Sequence, residues 1–420
     1  MKRLLFLLLL IPFQSIAQVV DSIWSPDVKS VYLAPVGNEM GSPIIRLTDD
    51  GSVPEPLLLR FDILQSNPST LRYRFRHCDA FWHVDSLEVG EFFSGNNEAG
   101  IDNYESSFTT LKDYICYYKQ FPEPYGRFMA SGNYILEVFP AEHPDSMLLT
   151  RKFYVCEDVV ETDITIGKPS GSFGNFNRDQ EVNVSVTPRR GSFLPSQPEY
   201  YQVMVKQNGR DDLLRVLEID GYSGDAMLYA HKKANVFAGG NCFRYFDLSN
   251  LRATMYHIQR IERVGDDVFA FLQPDEDRSR KAYVQYNSLN GGMKTNIRDR
   301  QNPHIESDYV WVNFSLPMER PFMDGNIYIV GDLTMWRLNE NSRMEWNPRF
   351  KAYTKRMLLK QGYYSYQLVF LPIGENEGLT SKLEGDHNVT VNEYTVYVYY
   401  RSPGARFDRL VALRKASSNQ

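Results

Sequence analysis

Cysteine is scarce in this chain: Cys78, Cys116, Cys156 and Cys242 are the four thiols in 420 residues. None stands at CxxC or Cys/His spacing, which excludes a zinc-held fold. Basic excess is missing too. With 46 Lys and Arg against 52 Asp and Glu, the net charge is −6, so nucleic acid has no electrostatic footprint here. Long apolar runs are absent beyond Phe13, and Leu4 to Phe13 is too short for about 30 Å of hydrocarbon. Phosphate-binding GxxxxGK[ST] and GxGxxG patterns are absent, as are HExxH and the GxSxG nucleophile elbow. His77 and His83, six residues apart, would lie about 20 Å apart on an extended strand, too far to share a metal. Asp275-Glu276-Asp277 is the densest acidic cluster. Arg278, Ser279 and Arg280 follow it where a calcium loop needs alternating ligands, so it reads as a solvated turn. No catalytic, metal-ligating or cofactor-binding residue is assigned, and an enzyme has no residue set behind it.

The first 17 residues have the layout of an export signal. Lys2 and Arg3 form the charged start, Leu4 to Phe13 the apolar stretch, and Ser15-Ile16-Ala17 a small-x-small cleavage site. No Cys follows that site, so the chain is expected to be exported without a lipid or direct membrane anchor. Export would leave the four thiols in an oxidising compartment, with their pairing open. They read as small buried hydrophobes with room for one disulfide.

Aromatics are plentiful: 27 Tyr, 25 Phe and 5 Trp, 14% of the chain, which favours strands. Period-two alternation recurs throughout. Leu71, Tyr73 and Phe75 share one face against Arg72, Arg74 and Arg76. Tyr134 to Phe139 and Lys152 to Val155 are further strands. Val182, Val184 and Val186 alternate with Asn183 and Ser185, and Tyr200 to Lys206 reads as the partner of that run. Val310, Val312, Phe314 and Leu316 oppose Trp311, Asn313 and Ser315, followed by Ile327 to Gly331, Tyr364 to Phe370 and Tyr394 to Tyr400. Asp247 to Ile261 fits a helix with a Leu248, Leu251, Met255, Ile258 stripe as well as it fits strand. Polar breaks at 167–172 and 287–308 divide the chain. The expectation is an all-β protein of tandem β-sandwiches, Ig/fibronectin-like and early-set-like: 1–17 signal peptide, 18–159 first sandwich, 160–304 middle β-rich domain, 305–420 last sandwich.

Several strings in order carry a resemblance. They are Tyr73-Arg-Phe-Arg-His-Cys-Asp79 with Trp82, Asn103-Tyr-Glu-Ser-Ser-Phe108, Gly132-Asn-Tyr-Ile-Leu-Glu-Val138 and Thr150-Arg-Lys-Phe153. Later come Asp308-Tyr-Val-Trp-Val-Asn-Phe314, Asn392-Glu-Tyr394 and Tyr399-Tyr-Arg-Ser-Pro-Gly-Ala-Arg406. Together they resemble the type IX secretion system plug protein family. The resemblance implies a non-catalytic periplasmic protein, without cofactor, that sits on the inner face of the outer membrane. Its implied partner is the translocon barrel, whose periplasmic opening it closes, and it would be a monomer until bound. Its signature residues read as structural: His77, Cys78, Asp79, Trp82, Gly331, Trp336, Gly362, Arg401, Gly404 and Arg406. Partner contacts are sought among apolar residues in polar loops, with Phe92 and Phe93 beside Gly95-Asn96-Asn97 as candidates. The alternative is a glycan-binding protein. The order Gly331, Trp336, Trp346, Gly362-Tyr363 resembles the early-set sandwich of glycogen-binding modules, where Trp336, Trp346 or Tyr363 could stack on a sugar or Trp336 could plug the core. Secreted cargo of the same system ranks lower, because no Leu-Tyr-Pro-Asn-Pro-like string occurs.

Overall fold

The computed structural model describes residues 18, 20–48, 53, 55–189 and 194–418. The signal-peptide reading of 1–17 lies outside them. Almost every regular element is a strand, and none of the helices among the described residues is long and apolar enough to cross a membrane.

Alternation sorts the first sandwich. One sheet runs Ser22–Ile23, Leu149–Cys156, Gly132–Pro140, Leu71–Cys78, Glu98–Ile101, with Ile44–Arg46 parallel to Leu149–Cys156. The facing sheet runs Val28–Pro35, Leu57–Ile63, Ile115–Phe121, Asn103–Ser106. Between them lies an aromatic core in which Leu71, Tyr73 and Phe75 are buried while Arg72, Arg74 and Arg76 stay half-buried on the other face. Phe92 and Phe93 belong to this core. Phe93 meets Phe75 and Phe128 at 5.3 and 5.0 Å, and Phe92 meets Tyr134 at 5.9 Å. Neither ring reaches the surface, which removes both as partner contacts. A one-turn helix, Val89–Phe92, folds the polar-looking loop inward, and loop polarity does not reveal that.

The remaining two sandwiches divide the chain differently from the 304/305 boundary. The second pairs Val160–Gly167, Asp179–Pro188, Ala226–Tyr229 and Gly221–Ser223 with a sheet of Leu214–Val216, Tyr201–Gln207, Glu393–Tyr400 and Arg409–Ser417. The third occupies the interval between: Arg244–Asp247, Gly362–Pro372, Met293–Thr295 and Gly325–Val330 face Ile258–Val264, Asp267–Leu272, Tyr309–Pro317, Ala352–Lys360 and Glu345–Asn347. It is thus inserted into the second. Residues 393–417, expected in the last sandwich, complete the second by pairing with Tyr201–Gln207, Tyr400 opposite Tyr201. The polar stretch 287–308 is internal to the third, because Met293–Thr295 adds to the edge of Gly362–Pro372. Tyr201–Gln207 faces the Val182 run across the core instead of pairing with it. Asp247 to Ile261 contains no helix. Leu248 and Ile258 drop into the core from the two ends of a loop, which mimics a helical stripe. Asp275 does not sit in a solvated turn either: its side chain pairs with Arg244 at 2.9 Å and accepts from the Tyr366 hydroxyl.

All four cysteines are buried and free. Burial pushes the Cys78 and Cys156 thiols up to about 12, and Cys116 up as well. Because the thiolate is the reactive form, a thiol reagent is expected to modify none of them in native buffer and all four in denaturant. Native modification of even one at the unfolded rate would contradict this packing.

Candidate functional site

The strings singled out in the sequence converge on the seams that join the sandwiches. The first seam starts where strand Leu71–Cys78 ends. The Asp79 carboxylate accepts from the Phe81 and His83 amides at 2.9 Å, and from the His83 ring at 3.0 Å, which reverses the chain sharply. Trp82 takes a left-handed conformation (φ 70) and is buried. The Lys152 ammonium lies 4.5 Å over its ring and Tyr154 meets it edge-on. The buried His77 ring is held by Asp85 through Nδ1 and by the Ser131 carbonyl through Nε2.

The other half comes from the loop after Tyr400. Gly404 (φ 80) makes a turn that L-residues adopt at a cost, and the loop folds back on Arg401, whose guanidinium donates to the Ala405 and Arg406 carbonyls. Arg406 then reaches across to Glu91 and the Ser86 carbonyl, both at 2.7 Å. Asp408 accepts from the Ala80 amide at 3.0 Å, and Phe407 packs edge-on against His77. Tyr399 donates to Asn133 at 2.7 Å, and the amides of Glu157 and Val159 donate to the Leu410 and Val411 carbonyls. Ala80, Cys156, Met204, Tyr397, Tyr399, Leu410 and Leu413 form an apolar cluster along this join.

Trp336 builds a second seam, with Gly331 and Gly362 packed inside the third sandwich. Trp336 donates its indole N–H to Asp332 at 2.6 Å, meets Phe243 edge-on, and packs on Gly209 of the second sandwich and Gly291 of the third. A Cβ on Gly209 would sit 2.4 Å from the ring, and one on Gly291 2.1 Å. Gly362 and Gly331 are close approaches of backbone to backbone, 2.3 and 2.7 Å from the Lys294 and Ser365 carbonyls to a built Cβ. Burial pushes the Asp332 carboxyl up, against the pull of the indole hydrogen bond. Gly291→Ala is expected to cost several kcal/mol, because it adds a clash to a φ of +86. Unfolding in urea measures it, and a variant as stable as the parent would refute the wedge. Trp346 turns inward to the Met318 carbonyl, and Tyr363 stacks on Tyr245 at 5.8 Å.

A third seam joins the first and third sandwiches, and the start of the Asp308 to Phe314 string lies in it. Lys360 places its ammonium 2.5 Å from Asp62, with side chains 3% and 1% exposed. Tyr309 donates to the same carboxylate at 2.6 Å, and Ser30 bonds the Tyr309 hydroxyl. Lys360 also donates to the His304 carbonyl and lies over the Tyr114 ring. The Leu111 amide donates to Asp308 at 2.6 Å. Tyr114, Cys116 and Tyr309 fill the space between. The string held Asp308 and Tyr309, but for their partners Lys360 and Asp62 the sequence offered only a lysine ending the half-buried strand Ala352–Lys360 and an aspartate within Leu57–Ile63. Among the described residues no group of His, Cys, Asp or Glu could hold a metal ion.

A search of curated proteins returned no match. Among solved structures, the crystal structure of a hypothetical protein from Parabacteroides merdae ATCC 43184 is 28% identical, with a TM-score of 0.91 over 96% of this chain and 100% of that one. The family model described as "Type 9 secretion system plug protein 1st domain" matches residues 28–157, the whole of the first sandwich's core. Residues 28–157 therefore belong to the first-domain family of the type 9 secretion system plug proteins.

Proposed function

We propose that this protein is a non-catalytic periplasmic plug that closes the periplasmic opening of the type IX secretion translocon in the outer membrane. The match of residues 28–157 to the plug first domain carries this reading. The seams support it physically. A stopper must keep its shape against a pore that passes folded cargo, and three sandwiches joined through buried hydrogen bonds, an ion pair and apolar clusters resist separation. Insertion of the third sandwich into the second adds two chain crossings at that junction, so neither unit can swing on a single linker. Glycan binding gains no support from the tryptophans, since Trp336 is wedged between glycines and Trp346 is bonded inward.

The test is recovery of a tagged chain from detergent-solubilised outer membranes. A very large barrel protein is expected to come with it. Deletion of the gene should admit bulky antibiotics that the intact envelope excludes. Repeated absence of the barrel, or a deletion that stops secretion without any leak, would overturn the proposal.

A further inference from the structure

Between the first and third sandwiches, beside the Asp62–Lys360 seam, lies a cavity of about 460 Å³ whose charges do not balance. Its basic side is made by Arg60, Lys294 and His304, and Glu39 is the one carboxylate lining it. Glu39 accepts from His304 at 3.0 Å but stands 3.7 Å from the Arg60 guanidinium, beyond hydrogen-bond length. Arg60 is held by its place on strand Leu57–Ile63 and by the Tyr118 ring 6.0 Å away. Its Nε and Nη1 atoms are buried without a hydrogen-bond acceptor among the described residues. Lys294 is exposed at the rim and makes no ion pair among the described residues. The His304 hydrogen bond, with Arg60 and Lys294 near by, holds the Glu39 carboxyl below its usual range against the opposing effect of burial. Met40 and Leu58 supply apolar wall, and Met40 is half exposed at the mouth.

A buried guanidinium edge with no acceptor costs free energy that an incoming carboxylate would recover. We propose that this cavity is a docking pocket for an acidic side chain of a protein partner, its carboxylate between Arg60 and Lys294 and its aliphatic neighbours against Met40 and Leu58. Charge selects the occupant: Arg60 and Lys294 face the single carboxylate of Glu39, so one more anion would balance the cavity. Glu39 on His304 already shows a carboxylate seated on the cavity's basic side. The apolar walls favour an anion borne on a polypeptide over a free ion. The pocket deepens the plug reading only in taking the translocon barrel as that partner.

The probe is N-acetyl-Leu-Glu-Leu-amide, titrated into the full chain labelled with ¹³C at its methionine methyls, with the Met40 signal identified by Met40→Leu. The Met40 methyl is expected to shift saturably. Affinity should fall about tenfold or more for the Gln counterpart peptide and for the Lys294→Gln variant. Lys294 is exposed, so that substitution leaves the fold intact, and an unchanged unfolding midpoint checks this. No saturable shift, or an equal response to the Gln peptide, overturns the pocket. So does saturation by inorganic phosphate at lower concentration than the Glu peptide, which would make the site one for a free anion or headgroup. In a second arm, tagged Lys294→Gln should recover less barrel than the parent. If the parent recovers no barrel while the peptide still binds, the plug reading fails and the pocket stands. If parent and variant recover the barrel equally, the pocket is not the contact, whatever the peptide does.

Discussion

Asp62→Ala is expected to lower stability by about 3–5 kcal/mol and to uncouple the first sandwich from the third. The alanine leaves the Lys360 ammonium 3% exposed with no counter-charge, held by the His304 carbonyl and the Tyr114 and Tyr309 rings. It also strips the Tyr309 hydroxyl of its acceptor. A charge in that position either stays unpaired at a cost or draws water into the seam, and both loosen the joint. Urea unfolding followed by fluorescence should show the parent's transition moving to lower denaturant or splitting in two. The double substitution Asp62→Leu with Lys360→Met separates charge from shape. Because a buried ion pair replaced by apolar groups is often neutral, the double variant should regain most of the loss. A single variant as stable as the parent would mean that the two sandwiches do not depend on this pair.

Glu384→Ala should be at least as damaging, by about 3–5 kcal/mol or more, because two guanidiniums depend on one carboxylate. Glu384 is wholly buried; Arg244 reaches it at 2.9 Å and Arg278 at 2.8 Å, and the Leu368 amide donates to it at 2.8 Å. Burial alone would push this carboxyl up, yet Arg244 and Arg278 hold it below the usual 4.5. A depressed folded-state pKa contributes stability that is complete above the unfolded value and fades as pH falls through the folded one. The difference in stability between the parent and Glu384→Gln should therefore be constant above about pH 5 and shrink in acid. Asp275 in the same network acts the other way, since burial raises its pKa in spite of Arg244. Glu384 itself adds to that shift, so the comparison is made in an Asp275→Asn background. A difference that grows in acid would mean that Glu384 is not held as a carboxylate.

The signature strings were legible, while their purpose was not. Tyr73 to Trp82 and Tyr399 to Arg406 stand out by composition and order, and they meet at one seam through Asp408 and the Ala80 amide, 328 residues apart. Trp336 read as a sugar platform or a core plug. It is a wedge between two sandwiches because Gly209, far upstream, leaves room for it. Phe92 and Phe93 misled because a single helical turn inside a polar loop buries them. The pocket of Arg60, Lys294 and His304 had no linear signal, since its basic groups come from three separate elements in two sandwiches.

Sequence by itself determined that the chain is β-rich, where most strands run, and which face of each is apolar, because alternation is a local property of the backbone pleat. Only the tertiary structure decided which sheet each strand completes, that the third sandwich is inserted into the second, and which lone charges are paired. An apolar face needs cover but does not specify its source. Pairings across hundreds of residues are selected by summed burial and hydrogen bonding of the whole fold, and no local run of residues encodes that sum.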